Sequence, residues 1–135
     1  MAIATQPTGE DVTVFLDAVP DARRRAEGHV LRELIERVTG APAVMWGPAI
    51  VGFGSKPYST KSETYDLLVL GFSPRKAQLT LYGVFDETEG PTDPLFAELG
   101  PHSTSRVCLY LKRLAAVDLS VLERLIRTAW ERGAA

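Results

Sequence analysis

Few side chains in this chain could do covalent chemistry: two histidines, His29 and His102, and one cysteine, Cys108. Cys108 lies between Val107 and Leu109 in an apolar run, so the sequence offers no disulfide framework, no Cys-x-x-Cys redox pair and no zinc-ligand spacing. His29 sits beside Gly28 on a helix flank and reads as a solvated residue. His102 precedes Ser103, Thr104 and Ser105 in a loop ahead of a strand, where it could donate at a pocket rim. A lone histidine lacks the orienting partner that acid–base catalysis requires, so a turn role is favoured. No Gly-x-Ser-x-Gly elbow exposes a serine nucleophile. Gly52-Phe53-Gly54-Ser55-Lys56 resembles a phosphate-cradling loop only superficially, because the Walker spacing is missing and no helix follows to receive a phosphate. Those glycines read as a strand bend or a close backbone approach. No catalytic residue is assigned, and binding is favoured over catalysis.

A binding surface is the better candidate. Trp46, Phe53, Tyr58, Phe72, Tyr82 and Tyr110 could supply aromatic walls, and Ser73, Arg75, Lys76, His102, Arg106 and Lys112 polar or cationic tips. Such a set suits a small planar or anionic ligand. Singly, each has a simpler explanation: Trp46, Phe53 and Phe72 as core, and Ser73-Pro74-Arg75-Lys76 as a hairpin turn whose proline fixes φ. Hard oxygen ligands are present in Glu10, Asp11, Asp17 and Asp21, and again in Asp86, Glu87, Glu89 and Asp93. Neither group has a diagnostic spacing, and helix dipoles and a solubilising loop account for them.

The elements that must position these residues follow from periodicity. Val12, Phe15, Leu16 and Val19 share one helical face after a start at Thr8, Glu10 and Asp11, with Thr8 as the expected cap. A second helix is predicted over about Ala22 to Val38, striped by Ala26, Val30, Leu31, Leu34, Ile35 and Val38 and terminated by Gly40. Arg23, Arg24 and Arg25 in its first turn oppose the dipole and read as a solvated face. Strands are predicted at about Ile50–Phe53, Asp66–Phe72, Gln78–Tyr82 and Arg106–Lys112, with a helical turn at Pro94–Leu99. The run Leu67–Leu70 suggests a strand covered on both faces. A last helix carries Leu122, Leu125, Ile126, Ala129 and Trp130 behind a cap at Asp118 or Ser120. The expected fold is a single α+β domain over residues 1–135. It has a mainly antiparallel sheet of about four to six strands, two N-terminal helices and one C-terminal helix, in the order α-α-β-β-β-β-α-β-α. If the alternating strands run in phase, one sheet face is lined by leucines and the other shows Thr80, Tyr82, Tyr110 and Lys112.

Composition narrows the function classes. Fifteen Lys+Arg against 17 Asp+Glu leave a formal net charge of -2, which argues against affinity built on neutralising nucleic-acid phosphates. No stretch reaches the roughly 18 apolar residues of a membrane span, and the N-terminus lacks a leader pattern, so a cytoplasmic protein without a membrane partner is expected.

Several blocks, in order, resemble the YdhG-like family of unknown function. They are Met45-Trp46-Gly47-Pro48, Ile50-Val51-Gly52-Phe53-Gly54, Gly71-Phe72-Ser73-Pro74-Arg75-Lys76 and Leu79-Thr80-Leu81-Tyr82. Gly100, His102, Cys108-Leu109-Tyr110, Lys112 and Val117-Asp118-Leu119 continue the match. The resemblance spans about Gly9 to Arg127. It implies a cytosolic α+β fold, distantly frataxin-like and described for some members as iron-chaperone-like, with no established reaction. The stretch after Gly100, commonly basic in the family, is here Pro101-His102-Ser103-Thr104-Ser105, which weakens an anion-binding role for that loop. The leading expectation is a non-enzymatic binding domain with a small-molecule or peptide site on the aromatic-polar sheet face. Its residues are Trp46, Tyr58, Ser73, Arg75, Lys76, Tyr82, His102, Arg106, Tyr110 and Lys112. The alternatives are a frataxin-like iron-binding protein, with iron as its only cofactor, and a homodimer meeting through the same face.

Overall fold

Aspartates set where the helices begin in the computed structural model, which describes residues 7–59, 61–62, 64–86, 89–105 and 108–134. Asp11 accepts a hydrogen bond from the Val14 amide at 3.1 Å and opens α1 (Val12–Asp17). The Thr8 hydroxyl, expected to cap this helix, accepts instead from the Glu10 amide at 3.2 Å. It lies too far ahead of Val12 to reach an amide of the first turn. Asp21 caps α2 (Ala22–Thr39) through the Arg24 amide at 2.8 Å, and Gly40 closes it with φ 71°, a left-handed conformation that glycine adopts freely.

Among the described residues six strands follow: β1 (Ala43–Trp46), β2 (Ile50–Ser59), β3 (Thr64–Pro74), β4 (Leu79–Tyr82), β5 (Ser103–Thr104) and β6 (Cys108–Leu111). They form one sheet of order β1-β2-β3-β4-β6-β5, and every neighbouring pair is antiparallel. A short helix α3 (Phe96–Leu99) precedes β5, and a 3₁₀ turn (Leu114–Ala116) leads to α4 (Leu119–Ala134). The fold is thus α+β, with the expected element order and a two-residue edge strand, β5, added ahead of β6.

One face of the sheet is the core. Val51, Phe53, Leu70, Phe72, Leu81 and Leu109 are fully buried there, beneath Leu16 of α1, Leu31 and Ile35 of α2, and Leu122 and Ile126 of α4. The rings of Phe53 and Phe72 stack at 6.3 Å, so these two aromatics are core and do not face the candidate site. Burial of a ring this size stabilises the fold by about 2 to 3 kcal/mol.

The glycine pair in β2 is strand, not loop. On the face turned away from the helices, a β-carbon at Gly52 would run into the indole of Trp46. Gly54, with φ 70°, turns the other way and would meet the ring of Trp130 from α4 at 2.6 Å. Close approach of two tryptophans is therefore what requires glycine at both positions.

The arginine run is the clearest departure from expectation. Arg24 is only 9% exposed and Glu27 7%, and their side chains pair at 2.7 Å. Arg24 Nη2 also donates to the Lys112 carbonyl at 3.2 Å, and the other Glu27 oxygen accepts from the Leu114 amide at 2.8 Å. Arg25 donates to the carbonyls of Val19 and Pro20 behind α1. Arg23 stays exposed as expected, but Arg24 and Arg25, with Glu27, are not a wet face: they fasten α2 to the end of α1 and to the segment after β6. His29 likewise is not simply solvated, since its Nε2 lies 2.8 Å from Asp17 and ties α2 to α1.

Candidate functional site: the helix-free sheet face

Cross-strand register decides which residues share the second face. Thr80 pairs with Ser73 on one side and Tyr110 on the other, and Tyr110 pairs with Ser103. Residues paired across a ladder point the same way, so these side chains form one row across β3, β4, β6 and β5. The adjacent row runs Gly52, Gly71, Tyr82 and Cys108. The two alternating strands are therefore in phase, as their periodicity suggests.

The tyrosine rings are held by their hydroxyls. Arg75 Nη2 lies 3.4 Å from the Tyr82 hydroxyl. Because Tyr82 is paired with Gly71 and Arg75 lies beyond the end of β3, the two side chains lean toward each other along β3, across Ser73. Ser73 is 1% exposed. At the other edge the hydroxyls of Tyr110 and Ser105 are 2.9 Å apart. Between the two tyrosines lies Thr80, 3% exposed, whose hydroxyl has no hydrogen-bond partner among the described residues. A buried hydroxyl left unpaired costs about 1 to 3 kcal/mol, and such groups are few in folded proteins.

The structure brings only some of the expected residues together. Ser73, Tyr82 and Tyr110 share the face, and Arg75 borders it through Tyr82. Lys76 and Lys112 are exposed at the strand ends beside it. Trp46 is on this face, but at 3% exposure it is packed down on Gly52 rather than offered to a ligand. His102 turns the other way: its Nδ1 donates to the Gly100 carbonyl at 2.7 Å, and its ring lies 5.9 Å from that of Phe96 on the helix side. It is thus a turn residue whose ring packs toward Phe96. Arg106 lies outside the described residues, and of Tyr58 only the backbone, paired with Tyr65, is described.

Five of the acidic groups have local partners. Asp11 and Asp21 cap helices, Asp17 pairs with His29, Asp86 accepts from the Glu89 amide and Asp93 from the Leu95 amide. Glu87 lies outside the described residues. Among the described residues, no three His, Cys, Asp or Glu side chains are grouped to hold a metal ion. Cys108 is buried and unpaired.

Sequence reasoning missed two features. Thr80 was visible only as a member of the polar face, since nothing local shows that its hydroxyl lacks a partner. A cavity of about 380 Å³ also opens on the helix side, between the segment around Phe85 to Phe96 and α4, floored by Phe85, Phe96 and Leu125 and rimmed by Glu89, Thr128 and Arg132. Its walls come from distant parts of the chain, so no local pattern announces it. No described helix is long and apolar enough to cross a membrane. No family model, curated protein or solved structure matches the chain.

Proposed function

We propose that the protein is a non-enzymatic binding domain whose ligand lies on the helix-free sheet face, over Thr80 and between Tyr82 and Tyr110. The observation that carries this reading is the buried, unpaired Thr80 hydroxyl, flanked by Ser73 and by two tyrosines tethered through their own hydroxyls. A polar group kept buried without a partner lowers stability unless something else uses it. A small planar ligand with one hydrogen-bonding group would satisfy Thr80 and stack against rings that are already positioned, at little entropic cost. The polar tips and the single buried cysteine fit a ligand held by weak forces in a reducing, cytoplasmic setting.

Replacing Thr80 by Val tests the reading, because the shape is kept and the hydroxyl is lost. The free protein is expected to melt higher than wild type, while binding of any ligand mapped to this face weakens. A Thr80→Val variant that melts lower would mean that the hydroxyl has a partner in the folded protein, and the reading would lose its support.

A further inference from the structure

The ends of the strands that border this face carry an unbalanced charge. β3 pairs with β4 up to Pro74 and Leu79, and β4 pairs with β6 up to Leu79 and Leu111. Arg75, Lys76, Lys112 and Arg113 therefore leave the sheet at the same end, within about two strand spacings, roughly 10 Å, of one another. All four are exposed, and among the described residues none of them forms an ion pair. The described residues of the two rows on the face, from Gly52 to Cys108 and from Ser73 to Ser103, include no Asp or Glu to offset them. The chain as a whole is slightly acidic at -2, so this concentration of unpaired cations is local.

We infer that the ligand of the sheet face is an aryl anion, a planar body carrying a phosphate or carboxylate, oriented with its charge at the β3–β4 turn. This rests on the reading of the face as a binding site. Arg75 and Lys112 are the side chains that hold the anionic end. They flank β4 on either side, so long side chains from both can converge on one group above Thr80. The tyrosines carry the planar body, and the Thr80 hydroxyl takes the hydrogen bond nearest the ring. Arg75 is already drawn in over the face by the Tyr82 hydroxyl. Its fork suits two oxygens of one phosphate or carboxylate, and Lys112 adds a point charge.

The test is a titration of the full chain, followed by backbone amide NMR shifts, with phenyl phosphate, benzoate, benzyl alcohol and inorganic phosphate. Phenyl phosphate or benzoate is expected to shift the amides of Thr80, Tyr82 and Tyr110 together with those of Arg75 and Lys112. The better of the two is expected to bind about tenfold or more tightly than benzyl alcohol, the gain for one good charge-assisted contact. Which of the two binds better identifies the anion. The double variant Arg75→Ala/Lys112→Ala should bring that probe down to the level of benzyl alcohol. Equal affinity for charged and neutral probes at the face overturns the inference and leaves the binding face standing, as does a preference that survives the double variant. Inorganic phosphate binding as tightly as phenyl phosphate, without shifts at Tyr82 or Tyr110, also overturns it. Absence of any shift at Thr80, Tyr82 and Tyr110 with all four probes removes both readings.

Discussion

The indole of Trp46 lies over Gly52, in the space where a β-carbon would stand on the helix-free face of β2. The contact pins the edge strand β1 across its neighbour and places a buried ring, 3% exposed, on the face that also carries the hydroxyls of Ser73, Thr80, Tyr82 and Tyr110. Gly52→Ala is expected to destabilise the protein by about 1 to 3 kcal/mol, the usual cost of overpacking a closed site. Adding Trp46→Leu should recover part of that loss, because the smaller side chain leaves room for the methyl. Urea unfolding of the two variants measures the coupling.

Arg24 and Glu27 form a buried pair that reaches past their own helix to the Lys112 carbonyl and the Leu114 amide. Removing one partner strands the other. Glu27→Ala is expected to cost about 3 to 5 kcal/mol, and the double change Arg24→Met/Glu27→Leu considerably less. Equal losses in the single and double variants would show that the pair acts through shape and not charge.

Acid sensitivity is expected at the start of α4. The Asp118 carboxyl is held below its ordinary value of 3.8, first by the Ser120 hydroxyl at 2.6 Å and then by the Val121 amide. A carboxylate whose folded value is depressed contributes stability above the unfolded value and loses it as pH falls toward the folded one. The melting temperature should therefore fall as pH drops below about 4, and Ser120→Ala should flatten that fall while lowering the plateau at neutral pH. Glu123, lowered mainly by its hydrogen bond to Arg37, contributes in the same direction. Arg37→Ala should reduce the same acid-side loss.

The long elements were legible because their signals are local. The stripe of Leu31, Leu34, Ile35 and Val38 marked α2, although Ala26 and Val30, read as part of it, are exposed, and the alternation of Leu79 and Leu81 with Thr80 and Tyr82 marked β4 and its two faces. β2 was seen only as far as Phe53, because Gly54 and Pro57 read as punctuation. In the fold Gly54 is required by Trp130, and Pro57 stands where β2 runs past β1 and needs no further donor on that side. β1 was counted in the element order but given no bounds of its own, because the Gly47-Pro48 turn lies beside it, and β5, exposed at both residues, has no alternation to read. Arg24 was read as solvated because its partner carbonyl is 88 residues away. The site was legible to the extent that register can be guessed from phase: Tyr82 and Tyr110 do share a face. His102 was misplaced because its direction depends on the one-residue step from Ser103, which only the pairing with Tyr110 fixes.

The central claim, that the helix-free face binds a ligand over Thr80, is tested most directly by soaking crystals of the full chain with a library of small planar fragments and locating the bound molecules. The account predicts that they collect between Tyr82 and Tyr110, with a polar atom within hydrogen-bond distance of the Thr80 hydroxyl. Fragments that collect instead in the cavity beside Phe85 and Phe96, leaving the tyrosine face bare, would contradict it.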